Sequence, residues 1–340
     1  CSGLVGSEMC IRDRSYLRIL DAGTGDGTIN ANIIKSFHRY HPYTSLLITG
    51  KEISYEDLKN TLEKMPDRFV EHPNLLVTMT NVKFSELGLI ESASKINNKK
   101  IREFNLILKS DNSYDFNSQI TGNKLGNFIK KYWGIEIDNK GRTSYSTPCI
   151  MRIYREDNSR HLKQFLNNDY KNNNYDLIIA SQAYRAASSV KIKVNNVIGP
   201  LMRLLNKSGK LLVTHSYGGK SIQRVLKTAF KEKEAFPNNA KDIIDYLKNN
   251  PTGENNLYNF SNPVSYNFRF KKAPDQTVTE LFGHNTDAKW ANILYVGQIP
   301  EKDIQLIEKN PRLYNKVKRT IENSGNIEFN NELFTITKIR

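Results

Sequence analysis

Cysteine is scarce in this chain, with three among 340 residues, and two of them fall within residues 1–14. Cys149 is the one that remains, and a single cysteine supports neither an intrachain disulfide nor a cysteine metal site. Such usage is typical of a reducing compartment, so we expect a cytoplasmic protein. No metal is expected either, because four histidines show no zinc-ligand spacing: His38, His41, His72 and His161.

Long apolar runs are also absent, since none approaches the length of about 18 residues that a membrane-spanning helix needs. Acidic residues are outnumbered by 50 Lys and Arg to 35 Asp and Glu, which gives a net charge of +15. That excess is compatible with a nucleic-acid partner. It is equally typical of a chain from an AT-rich genome, because Lys and Asn are abundant throughout and no dense basic block stands out. The oligomeric state is not indicated.

The first residues, 1–14 (CSGLVGSEMCIRDR), do not resemble the start of a folded domain. They resemble translated sequencing-adapter read-through, of the kind found in metagenomic assemblies. We therefore treat this segment as a non-native artefact, set it aside from the fold, and expect the native N-terminus to be missing.

The most informative segment is residues 17–30, LRILDAGTGDGTIN. The segment begins with an apolar strand that leads to Asp21, continues with a turn containing Gly23, Gly25 and Gly27, and ends at the start of a helix. This order predicts a nucleotide-binding turn. The G-x-G-x-G spacing differs from the G-x-G-x-x-G of dinucleotide sites. An acid in the turn would repel a pyrophosphate and suits a ligand with a cationic end, such as an amino acid joined to adenosine.

This segment resembles the first motif of class I S-adenosylmethionine (SAM)-dependent methyltransferases, (D/E)-x-G-x-G-x-G. The resemblance implies SAM as cofactor, bound by Asp21 and the glycine turn. Residues 45–54 (SLLITGKEIS) are similar to the family's second strand, with Glu52 in place of the acid that holds the ribose hydroxyls. Asn81, after the third strand, is implied to bind the adenine amino group. Alternatively, Glu52 is a surface acid at the start of the next helix, and Asn81 is a turn residue.

The end of the fourth strand, SQAYR at 181–185, partly resembles the (D/N/S)-P-P-(Y/F/W) motif of amino-group methyltransferases. Ser181 and Tyr184 match its first and last positions, whereas Gln182 and Ala183 replace both prolines. The resemblance implies that Ser181 accepts a hydrogen bond from the target nitrogen, that Ser181 and Gln182 lie beside the cofactor, and that Tyr184 stacks on the acceptor. Missing prolines weaken the case for a flipped base. Alternatively, Ser181 caps a helix and Tyr184 is an aromatic residue that packs in the core.

Two further residues could take part in catalysis or binding. Arg185 could hold an acceptor carboxylate or phosphate bidentately, although a surface ion pair is equally compatible with its position. His215, after the fifth strand, could act as a general base because its ordinary pKa lies near neutrality. A single histidine at a strand end is more often structural.

Alternating strands and helices predict an α/β fold, a doubly wound, Rossmann-like, seven-stranded mixed sheet with a large insertion between strands three and four. The sixth and seventh strands are expected at 265–271 and 290–299. We expect the SAM-binding core in 15–82 and 175–300, and an acceptor-binding or cap subdomain in 83–174, with a stabilising or dimerising role as the alternative. A C-terminal helix and a hairpin turning at Asn330 and Asn331 are expected in 301–340.

Together these features favour a SAM-dependent methyltransferase that transfers a methyl group to an N or O atom of a small-molecule acceptor. A nucleic-acid methyltransferase is the first alternative, supported by the positive charge and by the S-x-x-Y spacing at Ser181 and Tyr184. A non-catalytic SAM-binding protein is the second. An aminopropyl transferase shares the expected fold, but the strand-four turn has no catalytic Asp.

Overall fold

The computed structural model describes ten stretches of the chain: residues 16–137, 143–158, 174–183, 189–217, 223–224, 227–228, 238–249, 257–270, 309–323 and 327–339. The chain divides into two compact units. The first comprises Cys1–Ser181, Pro200–Leu212 and Thr337–Arg340, and the second comprises Gln182–Gly199 and Val213–Ile336.

The described strands are β1 (Tyr16–Ala22), β2 (Ser45–Lys51), β3 (Leu75–Thr80), β4 (Lys95–Ile96), β5 (Lys99–Lys100), β6 (Arg102–Leu108), β7 (Ile135–Ile137), β8 (Thr143–Tyr145), β9 (Cys149–Arg155), β10 (Tyr175–Ser181), β11 (Leu205–Tyr217), β12 (Tyr258–Phe260), β13 (Val264–Phe270) and β14 (Ile327–Lys338). The described α-helices are α1 (Thr28–Tyr40), α2 (Tyr55–Glu63), α3 (Pro66–Glu71), α4 (Ser113–Ile120), α5 (Asn123–Tyr132), α6 (Val190–Lys193), α7 (Gly199–Arg203), α8 (Ala240–Asn249) and α9 (Pro311–Asn323), with a π-helical turn, Val194–Ile198, between α6 and α7.

A large mixed sheet organises the first unit, in the order β6-β9-β3-β2-β1-β10-β11. The strands β1, β2, β3 and β10 are parallel. Their apolar residues are buried on both faces, as every residue of β3 shows, because helices cover both sides of a parallel sheet. Ser54 is the N-cap of helix α2. Its hydroxyl accepts the Asp57 N–H and satisfies one of the free donors of the first turn. The expected α/β architecture with a large sheet is thus confirmed, whereas the count of seven strands is not.

The segment 83–174 was predicted to form an inserted acceptor-binding or cap subdomain, but two of its described strands, β6 and β9, join the sheet of the first unit. Strand β9 pairs antiparallel with β3, and β6 pairs parallel with β9. Phe116, Phe128 and Trp133 from this segment belong to the same apolar core as Phe37 and Phe69. The physical reason is that β9 is buried on both faces and therefore needs sheet and helix neighbours. An acceptor-binding role for the segment stays a prediction.

In the second unit, the predicted sixth strand corresponds to β13, which pairs antiparallel with β14 from Val264↔Leu333 to Phe270↔Ile327. The hairpin predicted to turn at Asn330 and Asn331 is wrong, because β14 passes through both residues as one strand. Asn331 is buried, and its carboxamide oxygen accepts the Ser216 hydroxyl. This hydrogen bond forms when Asn331 is in a strand, and it outweighs the tendency of asparagine to form a turn. The predicted seventh strand, 290–299, lies outside the described residues.

In the part of the chain that the structure describes, no helix combines the length and apolarity needed to cross a membrane. Within the same residues, no cluster of three or more His, Cys, Asp or Glu side chains is arranged to hold a metal ion.

A buried ion pair contributes to the first unit. The Nη2 atom of Arg152 lies 2.6 Å from Oε2 of Glu91, and the two side chains are 8% and 6% exposed. Its Nη1 atom donates to Oε2 of Glu103 at 2.9 Å. Burial raises the pKa of Glu91, while the charge of Arg152 lowers it. Removing Arg152 would therefore leave a buried carboxylate without its cation.

We expect Arg152→Met to lower the free energy of unfolding by about 3–5 kcal/mol, the usual effect of breaking a buried pair. The double variant Glu91→Gln/Arg152→Met should recover a large part of this loss, because no buried carboxylate is left unpaired and Glu103 is half exposed. Urea denaturation measures both effects. Lys59→Met is the control, since Lys59 forms an exposed pair with Glu63 and should change stability by less than about 0.5 kcal/mol. Equal losses in the single and double variants would contradict the argument.

Candidate functional site

The carboxyl ends of the four parallel strands meet at one rim of the sheet in the first unit. Asp21 is level with Gly50 in β2 and with Ile179 in β10, and Lys51 is level with Thr80 in β3. Ligands of open α/β sheets bind at this end of the strands. The register therefore brings five features predicted from sequence to the same rim: Asp21, the glycine turn, Glu52, Asn81 and Ser181.

The glycine turn follows β1 and adopts a backbone conformation that side chains disfavour. Gly25 and Gly27 have φ values of +56° and +77°, in the left-handed region. A Cβ at Gly27 would lie 2.7 Å from the Cα of Thr61, so this glycine permits close packing of the turn on α2. A Cβ at Gly25 would meet no atom within 4 Å. Gly25 therefore faces open space, which a ligand could occupy.

Backbone and side-chain hydrogen bonds fix the turn in place. The N–H groups of Gly23 and Thr24 donate to the carbonyl of Lys51 at 3.2 and 3.0 Å. The Thr61 hydroxyl donates to the carbonyl of Gly25 at 2.9 Å. These bonds restrict the backbone of the turn, and a restricted backbone loses less entropy when a ligand is held.

Glu52 is the side chain that joins the turn to the end of β2. Its Oε2 accepts the N–H of Gly25 at 2.8 Å, and its Oε1 accepts the N–H groups of Ile53 and Ser54 at 2.7 and 2.8 Å. Glu52 is only 8% exposed, so it is not the surface acid considered as an alternative. A carboxylate has about four acceptor positions, and these three bonds leave about one for a ligand hydroxyl. Sequence reasoning missed the bonds to the turn.

Asp21 is the most unusual group of the rim. It is 0% exposed, and within the described structure neither carboxylate oxygen has a hydrogen-bond partner. Burial and, second, the charge of Glu52 raise the pKa of Asp21 from 3.8 to about 7. The Oδ1 atom of Asn30, in the first turn of α1, is likewise buried without a partner. These acceptors without donors match a ligand that carries a cation or N–H and O–H groups.

Asn81 bonds to the segment that leads into β9. Its Oδ1 accepts the Cys149 N–H at 2.8 Å, and its Nδ2 donates to the carbonyl of Thr147 at 2.9 Å. The carboxamide therefore has a clear structural role. Its binding of an adenine amino group stays a prediction that would depend on the second lone pair of Oδ1.

Gln182 belongs to the second unit, where its side chain takes part in a hydrogen-bond network. Its Oε1 accepts the N–H and the hydroxyl of Ser216 at 3.1 and 3.2 Å, and its Nε2 donates to Oδ1 of Asn331 at 3.2 Å. Its φ of +57° is uncommon for a residue other than glycine. The network holds this backbone conformation at the residue that follows β10.

His215 is buried, at 1% exposure, with its Nε2 atom 3.5 Å from Oε2 of Glu332 and its ring edge-on to Phe334. Burial is the largest influence and lowers the pKa of His215, although Glu332 opposes the shift. This environment favours the structural alternative, and a role as general base stays a prediction. Tyr184 and Arg185 lie outside the described residues.

No family model and no curated protein matches the chain. Among solved structures, it is similar to Haemonchus contortus phosphoethanolamine N-methyltransferase 2 in complex with SAM, at 12% identity and a TM-score of 0.37 over 100% of this chain and 52% of that one. The chain thus spans about half the length of that neighbour. A second structure of the enzyme, with phosphomonomethylethanolamine and S-adenosylhomocysteine, matches at 8% identity and a TM-score of 0.25, over 99% and 98% of the two chains. Both neighbours are methyltransferases crystallised with SAM or its product, but likeness at this level carries no weight for function.

Alanine at three glycines should separate backbone strain from steric contact. Gly25→Ala should lower the free energy of unfolding by about 1–2 kcal/mol, the strain of a left-handed residue. Gly27→Ala should lower it by about 2–5 kcal/mol, because the contact with Thr61 adds to that strain. Gly126→Ala, in α5 with open space around it, should raise it by about 0.5–1 kcal/mol. Thermal and urea unfolding measure the order, and equal effects at Gly25 and Gly27 would contradict it.

Proposed function

We propose that this protein is a SAM-dependent methyltransferase that acts on an N or O atom of a small-molecule acceptor. The observation that carries the proposal is the buried Asp21 carboxylate, which has no described partner and precedes a turn with open space at Gly25. A nicotinamide dinucleotide would bring a pyrophosphate, which an acid in this turn repels. SAM brings an ammonium group, which the acid attracts.

The residues at the rim suit the parts of SAM. Asp21 would accept the ammonium of its methionine moiety, and the remaining acceptor position of Glu52 would take a ribose hydroxyl. Gly25 would leave room for the ligand beside the backbone. When bound, SAM supplies a methyl group on a sulfonium, which is already a strong electrophile, so positioning the acceptor is the protein's main contribution.

Ser181 ends β10 at the same rim and is the described residue best placed to meet an acceptor there. By their likeness to the amino-methyltransferase motif, Tyr184 would stack on the acceptor, and Gln182 would lie beside the cofactor. Arg185 would bind an acidic group of the acceptor. A nucleic-acid acceptor is the alternative, and transfer of labelled methyl groups from SAM to pools of small molecules and of RNA would separate the two.

Calorimetry should detect S-adenosylhomocysteine binding, in the micromolar range typical of cofactors (about −8 kcal/mol), and no binding of NAD. Gly25→Ala should abolish S-adenosylhomocysteine binding, because its Cβ projects into the space reserved for the ligand. Gly126→Ala is the control and should bind as the unmodified protein does. Binding of NAD alone, or unchanged binding by Gly25→Ala, would overturn the proposal.

The pH dependence of binding should follow Asp21. Its pKa of about 7 lies above the ordinary 3.8, so the folded protein holds more protons between these values. Stability without ligand should therefore fall as the pH rises from about 4 to 7. Affinity for S-adenosylhomocysteine should rise over the upper part of this range, because the ammonium prefers the ionised acid. It should decline above about pH 8, where the ligand's α-amino group loses its proton.

Calorimetry and thermal unfolding across this pH range test the assignment with two variants. Asp21→Asn should weaken binding and remove the fall in stability. Asp26→Asn is the matched control, because Asp26 lies in the same turn but is exposed. Lys51 and Glu52 also lie near Asp21, and neither is altered by these changes. The same pH profile in Asp21→Asn as in the unmodified protein would show that another group titrates.

A further inference from the structure

Helix α9, in the second unit, has an exposed face on which the described side chains are cations and amides. Arg312, Lys316 and Arg319 are exposed and follow the spacing of one helical face. Asn315 and Asn323 share that face, and Val317 is buried. The sequence shows no dense basic block here, so the concentration of positive charge becomes apparent only once the helix is formed.

This face borders an open cavity of about 420 Å³. The described residues that line it are Arg312, Asn315, Lys316, Arg319, Thr320 and Asn323. No acidic side chain is among these described lining residues. In the described part of the chain, no carboxylate pairs with Arg312, Lys316 or Arg319.

A second basic segment lies against the same helix. The Oγ1 atoms of Thr228 and Thr320 are 3.4 Å apart. The Thr228 hydroxyl donates to the carbonyl of Arg224, as in a helical turn. Arg224 and Lys227 are both exposed and lie within about one turn of this contact. The positive surface therefore extends beyond α9 itself.

We propose that this basic face, formed by Arg312, Lys316 and Arg319 of α9, binds the sugar–phosphate backbone of a nucleic-acid strand. The three cations span about 10 Å along the helix axis. Phosphates of one strand in a duplex follow each other at about 3.4 Å along its axis, so several fall within that span. Guanidinium groups bind phosphate bidentately, and the Asn315 and Asn323 amides can bond to sugar and phosphate oxygens.

A lipid surface matches the face less well. Helices that bind membranes insert apolar side chains on the side that meets the lipid. The exposed side of α9 offers Arg312, Asn315, Lys316, Arg319 and Asn323, and the apolar Val317 is buried. Backbone binding of this kind is electrostatic and largely independent of base sequence. The inference does not depend on the proposed methyltransferase activity.

The test uses the full chain and fluorescein-labelled single-stranded RNA and DNA oligonucleotides, with anisotropy measured at several salt concentrations. The variant Arg312→Gln/Lys316→Gln/Arg319→Gln should bind roughly tenfold more weakly at low salt. The slope of log affinity against log salt should shrink by about 2, at about 0.7 per lost phosphate contact. Lys35→Gln/Arg39→Gln/Lys124→Gln removes the same charge from exposed helix positions elsewhere and should keep the slope. Tighter binding of RNA than of DNA would assign the sugar contacts to the 2′-hydroxyl.

Two further measurements make each outcome decisive. Thermal unfolding should be the same for both triple variants, since all six substituted side chains are exposed. In the unmodified protein, RNA should shield Lys316 from acetylation and leave Lys124 reactive, a result that requires no variant. Equal losses in the two triple variants, no shielding of Lys316, or no binding at low salt would overturn the inference. Stronger binding to phosphatidylserine vesicles than to either oligonucleotide, lost in the α9 variant, would replace it with a membrane surface.

Discussion

The carboxylate of Glu52 is the interaction on which the candidate site depends. It accepts the N–H of Gly25 on one side and those of Ile53 and Ser54 on the other, so a single acid ties the turn after β1 to the start of α2. Hydrogen bonds from N–H groups to an ionised acceptor are roughly twice as strong as neutral ones. Glu52 therefore holds the turn in position. The left-handed glycines, the start of α1 at Thr28 and the open space at Gly25 all depend on that position.

The same arrangement includes a buried carboxyl group that has no described partner. Glu52 is satisfied by backbone N–H groups, whereas Asp21, its neighbour at the rim, has both oxygens buried and no described donor. Burial and the negative charge of Glu52 both disfavour ionisation of Asp21, which is why its pKa rises to about 7. A fold selected for stability alone would replace such a group. Its presence at a strand end favours a role in binding, where a cationic ligand restores the missing interaction.

Local sequence was enough to predict the parallel core. Short apolar runs that end near an acid, an asparagine or a serine indicated β1, β2, β3 and β10, because parallel strands are buried on both faces. It was not enough to predict the partner of a side chain. The bonds from Glu52 to Gly25 depend on a turn geometry that spacing does not reveal, and Asn81 bonds to a strand far along the chain.

Two differences between the sequence predictions and the structure have related causes. Strand β9 extends the sheet beyond β3, and nothing in its own sequence states which edge it joins. Asn330 and Asn331 suggested a turn because asparagine tolerates the left-handed region. Tertiary partners decided otherwise, since a strand conformation lets Asn331 bond to Ser216 and Gln182. Long-range contacts therefore overrode local preference in both segments.

The charged groups of the rim are buried, whereas those of the basic face of α9 are exposed. Binding at the two places should therefore respond differently to salt. At the rim, the Asp21 and Glu52 side chains are buried, so added salt screens their charges little. On α9, Arg312, Lys316 and Arg319 are exposed, and their attraction for an anion falls steeply with ionic strength. Ligand binding at Asp21 should therefore persist at salt concentrations that abolish binding at α9.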